Sequence, residues 1–177
     1  MSKTLRIAAL AAAWLAFVAP AVAIDAASVP EAKRTTLGLY LTAEEVPPFL
    51  AASGGRSLFV DVRAPEELAA SGVANRVDAN VPLFLVGGAD GKPRPNPDFV
   101  AQITSTIAAK GLMKSDAVVV MCRTGRRSAL AASLLAEFGF TRVYSVVDGF
   151  EGDGPDAKGW KGAGLPWRRA AAPAQPN

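Results

Sequence analysis

The chain has 177 residues, half of them apolar and a fifth charged, with one cysteine, no histidine and a formal net charge of +3, which suits a single domain with its own core. The missing histidine excludes an imidazole general base, a Ser-His-Asp triad and imidazole-ligated zinc. The lone cysteine excludes an intrachain disulfide, a C-x-x-C pair and a multi-cysteine cluster; no metal or other cofactor is expected.

Lys3 and Arg6 precede an uncharged apolar stretch from Ile7 to Ala19, followed by Pro20-Ala21-Val22-Ala23 with small residues three and one positions before a cleavage point. Residues 1–23 therefore read as a secretory signal peptide cut after Ala23, which places the mature protein in the periplasm or outside the cell. The apolar stretch spans roughly 20 Å at about 1.5 Å per residue, short of a hydrocarbon core of about 30 Å, so a retained anchor is the weaker reading and no stable membrane insertion is expected after cleavage. Ile24, not cysteine, follows the cut, which removes a lipoprotein. Cleavage leaves 17 basic against 16 acidic residues, a net charge of +1 that gives nucleic acid no global attraction.

Residues 24–36 lack a clear period and read as an extended N-terminal arm. Thr42 with Glu45 forms a capping box ahead of Val46, Phe49 and Leu50, with Pro47-Pro48 confining the helix to its early turns and Gly54-Gly55 ending it. Ser57 to Val62 is an apolar run of the kind a buried parallel strand shows, and Pro65 opens a short helix. Residues 86–97 are dense in turn formers and read as a surface excursion, after which Asn96 caps and Pro97 opens a helix through about Lys110, with Phe99, Ile103 and Ile107 on one face. Ala117 to Met121 is a second buried strand. A helix from about Arg127 to Phe138 follows, its apolar face assigned to Leu130, Leu134, Leu135 and Phe138, and Arg142 to Val147 is the last strand. Residues 37–167 make one domain, and residues 168–177 are expected to form a disordered tail. Strands alternating with helices imply a parallel sheet covered on both faces, with ligands at the carboxyl ends of its strands. Cys122 stands at such an end.

The segment Cys122-Arg123-Thr124-Gly125-Arg126-Arg127-Ser128 joins a buried strand to a helix. Free N–H groups of the turn and of the helix start converge there, the helix dipole adds positive potential, and three guanidiniums lie close by. Each effect favours thiolate over thiol, and the thiolate is the nucleophile. The competing reading is a small apolar thiol filling the core. Three arginines immediately after the cysteine argue against it, because they need water or anions.

Four stretches together resemble one known family, the rhodanese homology domain of the sulfurtransferase superfamily. Leu58-Phe59-Val60-Asp61-Val62-Arg63 with Pro65-Glu66-Glu67-Leu68 resembles its D-V-R-x-x-x-E segment, and Asn80-Val81-Pro82 its N-V-P. Val118 to Ser128 resembles its active-site loop. Val146-Val147-Asp148-Gly149-Phe150, Trp160 and Gly164-Leu165-Pro166-Trp167 resemble its closing element. Two departures stand out: Gly72-Val73-Ala74 where members commonly have G-H-I, and Asp148-Gly149 where they have Gly-Gly. The resemblance implies a rhodanese-like α/β fold, with a central parallel sheet of about five strands and helices on both faces. It also implies that Cys122 takes sulfur from thiosulfate and carries it as a persulfide.

Loop register separates two reaction classes. Cysteine phosphatases and arsenate reductases of related fold use Cys-x5-Arg, whereas the sixth residue after Cys122 is Ser128 and the basic positions are Arg126 and Arg127. The shorter ring of amides suits a sulfane sulfur better than a phosphoryl group. The expected activity is therefore that of an exported thiosulfate sulfurtransferase, moving sulfane sulfur from a small anionic donor such as thiosulfate to a thiophilic acceptor. A thioredoxin-like thiol is one such acceptor. The alternative is a non-catalytic sulfur-carrier or anion-binding module. Cys122 is the expected nucleophile, and the loop amides from Arg123 to Arg127, including those of Thr124 and Gly125, hold the persulfide. Arg126 and Arg127 are expected to bind the donor, while Arg123 is either a third such charge or a solvent-facing one. Thr124 and Ser128 offer hydroxyls to the substrate or to local caps, and Asp61 with Arg63 is read as architecture near the site.

Overall fold

The computed structural model describes residues 24–86 and 91–170; the proposed signal peptide lies outside the described residues. Five parallel strands form the central sheet: β1 (Tyr40–Leu41), β2 (Ser57–Asp61), β4 (Ala79–Asn80), β7 (Ala117–Met121) and β8 (Val143–Val146), in the order β1-β8-β7-β2-β4. Two further pairs complete the strands. One is β3 (Val73–Ala74) with β9 (Trp167–Arg168), the other β5 (Phe84–Val86) with β6 (Pro93–Pro95). The helices are α1 (Val46–Ala52), α2 (Pro65–Ser71), α3 (Phe99–Ala109), α4 (Arg126–Glu137) and α5 (Gly159–Gly162).

β2 and β7 are buried along their whole length, as their unbroken apolar sequences require of strands covered on both faces. Side chains alternate across the sheet. Leu58, Val60, Val118 and Val120 join Ile103 and Ile107 of α3 and Ala131, Ala132 and Leu135 of α4 in one cluster. Phe59, Val119 and Met121 face the other way, against Val46 and Leu50 of α1 and Trp160 of α5. The register pairs Asp61 with Met121, and the Val62 amide then donates to the Met121 carbonyl at 2.8 Å. Cys122 thus leaves the sheet beside the segment that carries Arg63.

Several sequence expectations need correction. The arm at 24–36 is not extended: it makes 3-10 turns at Ala26–Ser28 and Glu31–Lys33, the first capped by the Asp25 carboxylate, and it buries Val29 and Lys33. Turns of three residues are too short to leave a period in the sequence. The excursion at 86–97 is partly a two-stranded ribbon. α3 begins at Phe99 and not at Pro97, because Asn96 first closes a local turn: its side chain accepts from the Asp98 amide and its carbonyl from the Phe99 amide. Arg168 belongs to β9 and not to a tail.

The apolar face assigned to α4 is right at Leu135, which is buried, and at Leu134, which packs against the core, but wrong at its other two positions. Leu130 and Phe138 are exposed at 57% and 53%, and the buried residues are Ser128, Ala129, Ala131, Ala132 and Leu135. A stripe of small residues lets the helix lie close on the sheet, so Leu135 goes inward while Leu130 and Phe138 take the outer surface. Leu130→Ser should therefore change stability by under about 0.5 kcal/mol, whereas Ala131→Leu should cost about 1–3 kcal/mol by overpacking. Urea unfolding of the two variants checks this, and the reverse ranking would contradict an α4 that turns its alanines to the sheet.

Candidate active site

Cys122 is the first residue past β7, and Gly125 is the N-cap of α4. Between them the chain must turn sharply enough to bring the helix start over the sulfur. Gly125 permits this with φ of +97°, and the Gly125 amide donates to Sγ of Cys122 at 3.2 Å. A Cβ there would sit 2.0 Å from the Val147 carbonyl oxygen, so the position excludes any other residue. The first amides of α4, from Arg126 onward, have no intrahelical acceptors and add their dipoles at the same end.

The loop is clamped from its far side. The amides of Phe150 and Glu151 donate to the carbonyls of Cys122 and Arg123 at 2.8 and 2.9 Å, an approach that a Cβ on Gly149 would block. Asp148, which stands where the family resemblance leads one to expect glycine, accepts from the amides of Ala43 and Gly159, and so ties three segments together. Burial raises its carboxyl above the ordinary range, against the opposing pull of those amides and of Lys33.

Cys122 is 1% exposed and its body packs with the core, yet it lines a cavity of about 440 Å³ shared with Glu67, Arg123, Thr124, Arg126, Arg127 and Asp153. The expected site residues divide by position. Thr124 and Arg126 line the cavity, and Arg126 has no carboxylate partner among the described residues. Arg123 extends outward, 3.6 Å from Glu151. Arg127 forks onto both oxygens of Glu67 at 2.6 Å. Ser128 does not reach the cavity: it is fully buried behind the sulfur, 3.7 Å from Sγ.

Asp61 and Arg63 form a completely buried ion pair at 2.6 Å. Arg63 also donates to Ser71 Oγ and the Gly72 carbonyl and lies 4.2 Å from the centre of the Phe150 ring. The Asn80 amide bridges the carbonyls of Asp61 and Arg63. Every donor of this cluster points to scaffold, the arrangement that makes a buried pair tolerable.

The roles of three site residues escape sequence reasoning. Lys33, from the N-terminal arm, is buried with its ammonium on the Val147 carbonyl (2.8 Å) and on Asp153 (2.9 Å), which places Asp153 on the cavity wall. Glu67 looks like an ordinary first-turn acid. In the fold it accepts from the Ala64 amide and from Arg127 at once. Its place as the glutamate of the D-V-R-x-x-x-E segment is visible in the sequence, but its partner, 60 positions away, is not.

The family model of the Rhodanese-like domain matches residues 49–153. An uncharacterized protein of Rickettsia prowazekii, RP600, is 35% identical over 112 residues, covering 63% of this chain and 83% of that one. Thiosulfate sulfurtransferase 16, chloroplastic, of Arabidopsis thaliana is 34% identical over 108 residues, 61% of this chain and 77% of that protein. The crystal structure of Rv0390 from M. tuberculosis superposes with a TM-score of 0.57 at 32% identity, covering 73% of this chain and 96% of that one.

Burial works to raise the Glu67 carboxyl, but the hydrogen bonds from Arg127 and Ala64 and the nearby positive charges outweigh it and hold the group below its ordinary 4.5. A carboxyl lowered by folding stabilises the fold above the unfolded value and loses that contribution as pH falls through the folded one. Below pH 4.5 the unfolding free energy of the wild type should therefore fall more steeply than that of Glu67→Gln, as read by urea titrations. Parallel curves would contradict the role assigned to the Glu67–Arg127 fork.

Proposed function

Because the chain belongs to the Rhodanese-like domain family, we propose that it is a sulfurtransferase that takes sulfane sulfur from a small anionic donor such as thiosulfate. The observation that carries this reading is the Gly125 amide aimed at Sγ of Cys122 at 3.2 Å, at the start of a helix and on the wall of an arginine-lined cavity. A donor amide and a helix N-terminus favour the thiolate, and the register of the loop leaves its ring of amides small. The similarity to a protein named as a thiosulfate sulfurtransferase supports the same donor class.

The chemistry balances without a cofactor. The Cys122 thiolate attacks the outer sulfur of thiosulfate, the sulfur–sulfur bond of the donor breaks, and sulfite leaves with the bonding pair. The terminal sulfur of the resulting persulfide carries the negative charge outward toward the amides at the start of α4. A thiophilic acceptor, cyanide in the assay or the thiolate of a thioredoxin-like protein, then attacks that sulfur and releases the Cys122 thiolate. The arginines divide the remaining work. Arg127 is committed to Glu67, whereas Arg126 keeps its charge for the donor. Export follows from the signal peptide reading, and the periplasmic form is expected to begin at Ile24, as intact mass on a periplasmic fraction would establish.

Incubation of the purified protein with thiosulfate should add one sulfur atom to Cys122 by intact mass, and cyanide should then yield thiocyanate; both should vanish in Cys122→Ser. Wild-type protein that does neither, with thiosulfate in excess, is not a thiosulfate sulfurtransferase.

Arg126→Ala should raise KM for thiosulfate about fivefold with little change in kcat, as the loss of about 1 kcal/mol of charge attraction in water implies. Arg127→Ala should instead lower the urea midpoint. Steady-state kinetics on both variants decide the matter, and an unchanged KM in Arg126→Ala would remove its assignment.

A further inference from the structure

Ser145, on β8, lies 17 positions from Ser128 in the chain and is fully buried against it. Its hydroxyl donates to Ser128 Oγ at 3.1 Å. Ser128 Oγ also accepts the Cys122 thiol at 3.7 Å and donates to the Gly125 carbonyl at 2.8 Å, with the Val146 carbonyl at 3.3 Å as a second acceptor in reach. A serine hydroxyl has one proton and two lone pairs. With Cys122 as a thiol, every site on Ser128 is filled.

Ionisation of Cys122 changes that arrangement. The sulfur becomes an acceptor, and the Ser128 lone pair that received the thiol proton now faces a negative charge. Rotation of the Ser128 hydroxyl moves its proton from the Gly125 carbonyl to Sγ. The Gly125 carbonyl is not orphaned, because it also accepts the Ala129 amide at 3.1 Å. Ser145 continues to donate to Ser128, and a hydroxyl that accepts a hydrogen bond is the stronger donor.

We propose that Ser145 is a positioning residue for Cys122, acting through Ser128 to favour the thiolate as nucleophile when sulfur is taken up and as leaving group when it is handed on. The consequence for turnover rests on the sulfurtransferase reading; the effect on the thiol does not. The charged groups around this sulfur are Arg123, Arg126, Arg127, Glu67 and Asp153 on the cavity wall, Lys33 beside Gly125, Asp61 within reach of Arg127, and Asp148 on the clamping turn. Tyr144 is the titratable neighbour on β8. Substitution of Ser145 alters none of these charges.

Iodoacetamide alkylation of Cys122 in the full chain, followed against pH, tests this. Ser145→Ala should slow alkylation at neutral pH about three- to tenfold and move the profile to higher pH, a tenfold change being one pH unit. Ser145→Thr, which keeps the hydroxyl, should stay near the wild type. In a Ser128→Ala background, Ser145→Ala should have no further effect, because its route to the sulfur is already gone. If Ser145→Ala does not fold, Ser145→Cys, close in volume and a weak donor, carries the same expectation. An unchanged profile in the Ser145 variant, or an equal slowing with and without Ser128, overturns the proposal. Sulfur loading of the wild type from thiosulfate is read separately: its absence beside the expected alkylation pattern removes the sulfurtransferase reading and leaves the hydroxyl chain standing.

Discussion

The site depends on one backbone hydrogen bond, from the Gly125 amide to Sγ of Cys122, and on the left-handed glycine that makes it. β7 delivers the sulfur to the carboxyl edge of the sheet, and α4 begins only four residues after it. Only a chain reversal at Gly125 brings the helix start onto the sulfur, and the Val147 carbonyl, 2.0 Å from where a Cβ would lie, leaves no room for one. The loop cannot drift outward either, because the Phe150 and Glu151 amides hold its carbonyls. Preorganisation of this kind lets the donor dipoles stand in place before charge develops.

Around that turn, the charged residues fall into two layers. Asp61 with Arg63 lies deep, sealed by Asn80, Ser71 and Phe150, and fixes the ends of β2 and β4 relative to each other. The Glu67–Arg127 fork and the Lys33–Asp153 pair lie at the cavity rim. They neutralise two of the cations gathered around the sulfur. Positive charge beyond what the carboxylates cancel therefore concentrates on Arg126, which suits a small anion and leaves the surrounding wall close to neutral. Lys33 also makes the N-terminal arm part of the site, since its ammonium bridges the end of β8 to the loop bearing Asp153.

What could be read from the sequence follows from the range of each interaction. β2 and β7 are legible within a residue because a strand buried on both faces writes an unbroken apolar run. The cysteine loop is legible because the elements that shape it are consecutive in the chain. The face of α4 is misread at Leu130 and Phe138 for an opposite reason: leucine and phenylalanine mark a core face only where there is space for them, and in α4 alanines set a close approach to the sheet. Lys33 and Val147 are 114 positions apart, and Glu67 and Arg127 are 60 apart. No local pattern joins such pairs, so these partners, like Ser145 behind Ser128, emerge only from the packed fold.

The most direct measurement is a crystal structure of the protein after brief exposure to thiosulfate. The expected result is one added atom on Sγ of Cys122, directed into the cavity and within hydrogen-bonding distance of the amides between Gly125 and Ser128. A sulfur left bare in a protein that turns thiosulfate over, or an added atom directed away from those amides, would contradict the role assigned to the turn at Gly125.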